Sequence, residues 1–168
     1  MKNLIDTKVE NYKLRFANES DVPVILKLIR ELAEYENLLH EVMCTEEYLK
    51  ESLFKRKVAE VIIGEYEGEP VSYVLFFYNF STFEGKPGIY LEDLYVKPEF
   101  RGRGFGKILL KYLARLAVER DCVRFEWACL DWNEPSIRFY KQMGARPKDE
   151  WTIYRVEGKA LTDLSCGE

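Results

Sequence analysis

The spacing of apolar residues along the chain changes several times, and each change marks an element. Residues 12–18 (Tyr-Lys-Leu-Arg-Phe-Ala-Asn) alternate with the two-residue period of a half-buried strand. Val22, Ile25, Leu26, Ile29, Leu32 and Ala33 then recur every three or four residues, predicting an amphipathic helix capped by Asn18 or Ser20. A second helix is expected from Thr45, with Glu46 and Glu47 in its first turn, where the helix dipole favours negative charge. Two β-rich runs, 58–66 and 70–80, flank Glu67-Gly68-Glu69 and read as a hairpin. Residues 81–88 read as a loop, and 89–96 as a strand ended by Pro98. Phe105, Ile108, Leu109, Tyr112, Leu113 and Leu116 make a second helical stripe reaching about Arg120. A strand at 122–130, a helix at 134–143 stopped by Gly144 and a last strand near 151–157 complete the pattern. The order predicts an α/β, or layered α+β, fold on a mixed, mostly antiparallel sheet. No linker or repeat divides the 168 residues, so one domain is expected, with its core at about 12–157.

Composition narrows the class. The chain is 47% hydrophobic and 32% charged with a formal net charge of −4, which suits a globular domain and lacks a basic nucleic-acid footprint. No uncharged apolar run approaches the ~20 residues of a membrane span. Asp6, Lys8 and Glu10 stand where a secretory signal needs its apolar stretch, so a cytoplasmic protein is expected. Cys44, Cys122, Cys129 and Cys166 form no C-x-x-C pair and His40 is the single histidine, so no metal is expected. A nucleophile system built on histidine would have to use His40, in the acidic, polar stretch Leu39-His40-Glu41.

The densest chemistry lies in Arg101-Gly102-Arg103-Gly104-Phe105-Gly106-Lys107, a glycine- and cation-rich junction between a strand and a helix. Glycines let successive backbone N–H groups converge on one anion, and the helix that follows adds its own unpaired N–H groups. Phosphate is the natural ligand. The spacing matches neither the dinucleotide fingerprint G-x-G-x-x-G nor a Walker loop, which would need glycine at 101 and Ser or Thr at 108.

The pattern Arg-x-x-Gly-x-Gly resembles the acetyl-CoA pyrophosphate loop of the GCN5-related N-acetyltransferase (GNAT) superfamily. Further segments resemble its diamine (spermidine/spermine) and thialysine acetyltransferases: Leu32 to Glu36, Tyr90 to Val96, Asp131 to Ile137 and Phe139 to Ala145. The resemblance implies a twisted sheet with helices on both faces, whose fourth and fifth predicted strands splay to admit acetyl-CoA. It implies cofactor contacts from the backbone at Leu94, Tyr95 and Val96, from Arg101, Gly102, Arg103, Gly104, Phe105, Gly106 and Lys107, and from Asn133 and Ser136. It places the amine acceptor among Tyr35, Glu36, Glu92, Glu126, Trp127 and Ala128, with an acid at Asp149 or Glu150. A homodimer is also implied.

Acetyl transfer requires a neutral amine, and an alkylamine of pKa about 10.4 is ~0.1% neutral near pH 7.4, a cost of about 4 kcal/mol. Glu92 is the candidate helper, ordering a water chain with its basicity raised by desolvation. By resemblance Tyr140 is the catalytic acid that protonates the leaving thiolate. The N–H of Tyr95 or Val96 is the expected oxyanion donor, if the strand bulges there.

Charge is polarised to match. Lys97, Arg101, Arg103, Lys107, Lys111, Arg115 and Arg120 cluster within 97–120, and Glu31, Glu34, Glu36, Glu41, Glu46, Glu47 and Glu51 within 31–51. One pole suits an anionic cofactor and the other a cationic substrate. The expected reaction is transfer of acetyl from acetyl-CoA to a primary amine of a di- or polyamine by direct attack. The alternatives are a lysine analogue or protein lysine as acceptor, and a non-catalytic acyl-CoA-binding module, which needs neither Tyr140 nor Glu92.

Overall fold

The computed structural model describes residues 4–166, which divide after Ala128 into two compact units. The first unit is a six-stranded sheet in sequential order: β1 (Ile5–Asp6), β2 (Tyr12–Phe16), β3 (Glu60–Tyr66), β4 (Glu69–Ser81), β5 (Lys86–Val96) and β6 (Phe125–Trp127). Every neighbouring pair is antiparallel except β5 and β6, which run parallel. The mixed, mostly antiparallel sheet is therefore as predicted, with the two-residue β1 added at one edge.

Helix α1 (Val22–Tyr35) buries Val22, Ile25, Leu26 and Ala33 of the predicted stripe, leaves Ile29 and Leu32 partly buried, and adds Leu28, which is fully enclosed with Ile25 against Val61, Ile63, Tyr73 and Tyr95. Each such side chain removed from water contributes roughly 1.5–3 kcal/mol. Asn18 begins the segment through a reciprocal cap. Its side chain accepts from Ser20 N–H at 3.0 Å, while its own N–H donates to Asp21 at 2.8 Å. Asp21 also receives both terminal nitrogens of Arg15, at 2.7 and 2.8 Å, and Arg15 Nε donates to Glu65 at 2.7 Å. This buried ion cluster ties β2, β3 and the start of α1 together, so the far end of α1 is carried at a fixed place over the sheet.

The helix expected from Thr45 forms as α2 (Glu46–Leu49), with Thr45 as its cap, and the turn continues as a π-helix over Lys50–Lys55. On the opposite face α3 (Phe105–Glu119) buries Phe105, Leu109 and Leu113, with the Phe105 ring stacked on Tyr12 at 3.8 Å. The predicted hairpin is a two-residue turn in which Glu67 and Gly68 both have positive φ.

Three boundaries differ from expectation. The loop at 81–88 is a tight turn, because β4 and β5 stay paired out to Ser81 and Lys86. The strand at 122–130 contracts to Phe125–Trp127, and its ladder with β5 ends at Leu91. β5 bulges at the next residue, which turns it away from its parallel neighbour.

The third difference lies in the second unit, which contains α4 (Glu134–Gln142) and α5 (Gly158–Cys166). The predicted helix ends as expected, with Gly144 at a φ of 90°. The predicted strand at 151–157 does not form, and Trp151, Ile153 and Tyr154 are exposed. Alternation supplies two faces for a strand but not the neighbouring ladder that a strand requires. α5 escapes sequence reading because it buries none of its residues and so shows no core-facing stripe.

Candidate active site

β5 carries the centre of the site, and its backbone explains why. Leu75 pairs with Asp93 and Phe76 with Leu91, so Glu92 is the extra residue of a bulge. The bulge therefore lies three to four residues before the expected position at Tyr95 or Val96. Beyond it, Lys97 N–H donates to the Val71 carbonyl at 3.0 Å, which sets the phase of the antiparallel ladder. Tyr95 pairs with Tyr73 in that phase and points its N–H at β4, whereas Leu94 and Val96 point theirs to the other side. Of the two expected oxyanion donors, Tyr95 is thus engaged in the sheet, and Val96 has the right direction. The ladder to β6 has already ended at Leu91, so the strand edge at 94 and 96 opens where the fourth and fifth predicted strands were to splay.

The glycine loop follows. Gly102 and Gly104 have φ of 76° and 85°, and Gly104 stands at the start of α3 without a side-chain cap. The first intrahelical bond is from Ile108 N–H to the Gly104 carbonyl, so the N–H groups of Phe105, Gly106 and Lys107 precede the helical ladder. The Phe105 side chain is core, which leaves its backbone for a ligand. Arg101 is exposed, donates from Nε to the Val96 carbonyl at 2.9 Å and lies 4.5 Å over the Tyr35 ring. Arg103 stacks over Phe100 and Tyr66 at 5.2 and 5.4 Å, and Lys107 is exposed.

On the acceptor side, Tyr35 ends α1 and Glu36 follows it, half-buried, with burial pushing its carboxyl up. Glu92 is exposed; the desolvated carboxylate is its neighbour, Asp93. Burial, chiefly, holds the Asp93 carboxyl up at about 6, with Glu92 and Glu36 adding repulsion and a hydrogen bond from Tyr73 opposing the rise. Tyr73 Oη donates to Asp93 Oδ2 at 2.8 Å from a fully buried ring. Burial and the Asp93 charge push the Tyr73 hydroxyl well above its usual range, so it stays a donor. Burial, then Glu31, raises the Tyr95 hydroxyl to about 12. Asp93 and Tyr73 were missed in the sequence because strand alternation argues against using two consecutive carboxylates, and only the bulge removes that objection.

The remaining expected residues divide. Glu126 sits beside Tyr90 in the ladder, but its carboxylate accepts from Asn79 at 2.6 Å and pairs with Arg124 at 2.9 Å. Its charge is thus already balanced within the sheet. Trp127 packs edge-on against Phe125, and Ala128 is exposed. Asn133, Ser136, Tyr140, Asp149 and Glu150 belong to the second unit. Asn133 is buried and caps α4, accepting from Ser136 N–H at 3.3 Å. Tyr140 is half-buried on α4 beside Phe139. Glu150 is exposed and bound to Lys148 at 2.6 Å, which lowers its pKa; Asp149 is exposed.

A separate groove of about 350 Å³ follows the outer side of α1, lined by Lys27, Arg30, Glu31, Glu34 and Glu46 among others. None of its lining residues comes from β5, so its size does not make it the reaction centre. Among the described residues no cluster of His, Cys, Asp or Glu is placed to hold a metal ion, and no helix is long and apolar enough to cross a membrane.

A bulged strand opening beside a glycine loop at a helix start invites comparison with known acyl-transfer folds, and the model of the acetyltransferase (GNAT) family matches residues 26–145. The chain belongs to the GNAT acetyltransferase family. Thialysine N-epsilon-acetyltransferase of Sus scrofa is 42% identical over 166 residues, spanning 90% of this chain and 96% of that protein. L-ornithine N5-acetyltransferase of Arabidopsis thaliana is 31% identical over 195 residues, spanning 89% and 86%. An integron cassette protein from the mobile metagenome of V. cholerae has the same fold, with a TM-score of 0.82 over 95% of this chain and all of that one at 24% identity. The chain is an acetyltransferase, and GNAT enzymes take acetyl-CoA as their acetyl donor.

Proposed function

We propose that the enzyme transfers acetyl from acetyl-CoA to the terminal amine of a small dibasic molecule, a diamine or a lysine-like amino acid. The carrying observation is a group of carboxylates, half-buried Glu36 and Asp93 with exposed Glu92 beside them, where the bulge ends and the open edge of β5 begins. Three neighbouring carboxylates, two of them partly desolvated, favour a cation, and a second cationic centre lets the substrate answer more than one of them. The similarity to thialysine and ornithine acetyltransferases points to the lysine-like acceptor, and the diamine fits the same charge pattern.

The donor side fits acetyl-CoA by its own geometry. Positive φ at Gly102 and Gly104 turns the backbone N–H groups ahead of α3 into a phosphate cradle, with Arg101, Arg103 and Lys107 around it. The outward N–H and C=O groups of Leu94 suit the amide-bearing pantetheine arm, and acetyl-CoA supplies an activated thioester to that edge. Val96 N–H is the donor for charge developing on the carbonyl oxygen. Glu92, exposed at the bulge, orders water beside the acceptor. Tyr140 is assigned as the acid for the departing thiolate on the family's pattern.

Release of thiol from acetyl-CoA, followed over lysine analogues, diamines and matched monoamines, tests this function. The dibasic compounds are expected to be acetylated with a kcat/KM at least tenfold above the monoamines. Equal rates across the panel would remove these carboxylates from acceptor selection.

A further inference from the structure

We propose that Asp93, gripped by the Tyr73 hydroxyl at 2.8 Å and set on the bulge beside Glu92, takes the proton from the acceptor's ammonium. The proposal rests on the acetyl-acceptor reading above and assigns the step that makes the amine a nucleophile.

Geometry carries it. A bulge presents consecutive side chains where a regular strand would send one to each face, so a second carboxylate joins Glu92 at the edge that leads to Leu94 and Val96. Tyr73 comes from the neighbouring strand with its ring fully buried, which fixes one carboxylate oxygen and leaves the other to accept. The titratable groups around Asp93 are Tyr73 on β4, Glu92 and Tyr95 on β5, Glu36 after α1 and Cys44 ahead of α2. The cations act at one remove, Arg30 on Cys44 and Arg101 on Tyr95. Burial first, and the neighbouring anions after it, raise the carboxylate's affinity for a proton, in keeping with the value of about 6 at Asp93. That is far closer to neutrality than an ordinary aspartate, which favours a base working near pH 7.

The step balances. An ammonium N–H bond breaks, Asp93 becomes the acid, and the nitrogen lone pair forms the C–N bond to the acetyl carbon. The C–S bond breaks, and the proton gained by sulfur balances the second proton lost by nitrogen. One net proton leaves through Asp93 to solvent.

The test is the pH profile of kcat/KM in the full-length protein. Wild type is expected to rise through about pH 6 and then level, because ionised Asp93 is required while the amine is still protonated. Asp93→Asn should lose about 10²-fold or more at pH 7 and rise tenfold per pH unit toward the amine's own pKa. Tyr73→Phe removes a bond that favours the carboxylate, so its rise should move to higher pH. Glu36→Gln removes a repelling charge, so its rise should move to lower pH. A carboxylate that serves only packing would move none of these limbs. Carbon-detected NMR titration of Asp93 in the protein alone gives a readout independent of turnover, with a midpoint near 6 expected and one near 4 overturning the proposal. Acetylation with an unmoved limb in both Asp93→Asn and Tyr73→Phe overturns this proposal and leaves the acceptor reading standing. Failure to acetylate any amine while Asp93 titrates near 6 overturns both.

Discussion

At the residue scale the site is a contrast between neighbours. Glu92 is exposed at the bulge while Asp93, one residue on, is desolvated and hydrogen-bonded to Tyr73. Glu126, expected to read the substrate, is already matched by Arg124 and Asn79. Strict strand alternation puts Arg124 and Glu126 on one face without showing that they pair, and the bond from Asn79, 47 residues away, is set by strand register. Tyr140 is the residue whose role is most exposed to experiment. Phe keeps the ring beside Phe139 and removes the hydroxyl proton, so Tyr140→Phe should lower kcat by about 10²–10⁴ with acetyl-CoA affinity and Tm nearly unchanged. The loss should fall toward the lower end, since a thiolate leaves readily and solvent can supply part of the proton. Wild-type kcat, measured where chemistry limits the rate, would return Tyr140 to a packing role.

At the scale of elements, legibility followed the depth of the core. The stripes of α1 and α3 were readable because a helix facing a sheet must repeat its apolar residues every three to four positions. The bulge at Glu92, the early end of β6 and the missing strand at 151–157 were not readable. Each depends on what a neighbouring strand does rather than on the segment's own period. The glycine loop was readable because its glycines answer a backbone demand. A Cβ at Gly104 would meet nothing within 4 Å, so what excludes other residues is its φ of 85°. Gly104→Val should therefore distort the N–H cradle ahead of α3 and weaken acetyl-CoA binding by tenfold or more, measured by calorimetry, at a folding cost of roughly 1–2 kcal/mol. Unchanged affinity in a folded Gly104→Val protein would take the cradle away from the pyrophosphate.

At the scale of the whole molecule, the two poles of charge read from the sequence survive in reduced form. Within the acidic stretch Glu41 lies against His40, Glu51 pairs with Lys55 and Glu31 reaches Lys27, so much of it is solvated surface. Within the basic stretch Arg120 binds Glu60, and Arg115 pairs with Glu119. On the function proposed above, the chemistry uses Glu36 at the end of α1 on one side and the cradle from Arg101 to Lys107 on the other, with β5 between them. The buried cluster of Arg15, Asp21 and Glu65 makes that arrangement rigid by fixing α1 to the sheet. If this division is right, Glu36 is read by the part of the acceptor that does not react. The most direct measurement is the ratio of KM values for a diamine and a monoamine of equal chain length, in wild type and in Glu36→Gln, at pH 8. At that pH the Asp93 limb near 6 is passed, so acid–base effects drop out of the comparison. Loss of the carboxylate should raise KM for the diamine about tenfold and leave the monoamine nearly unchanged. An equal change for both substrates, or none for either, would contradict an acceptor site built on the end of α1 and the bulge of β5.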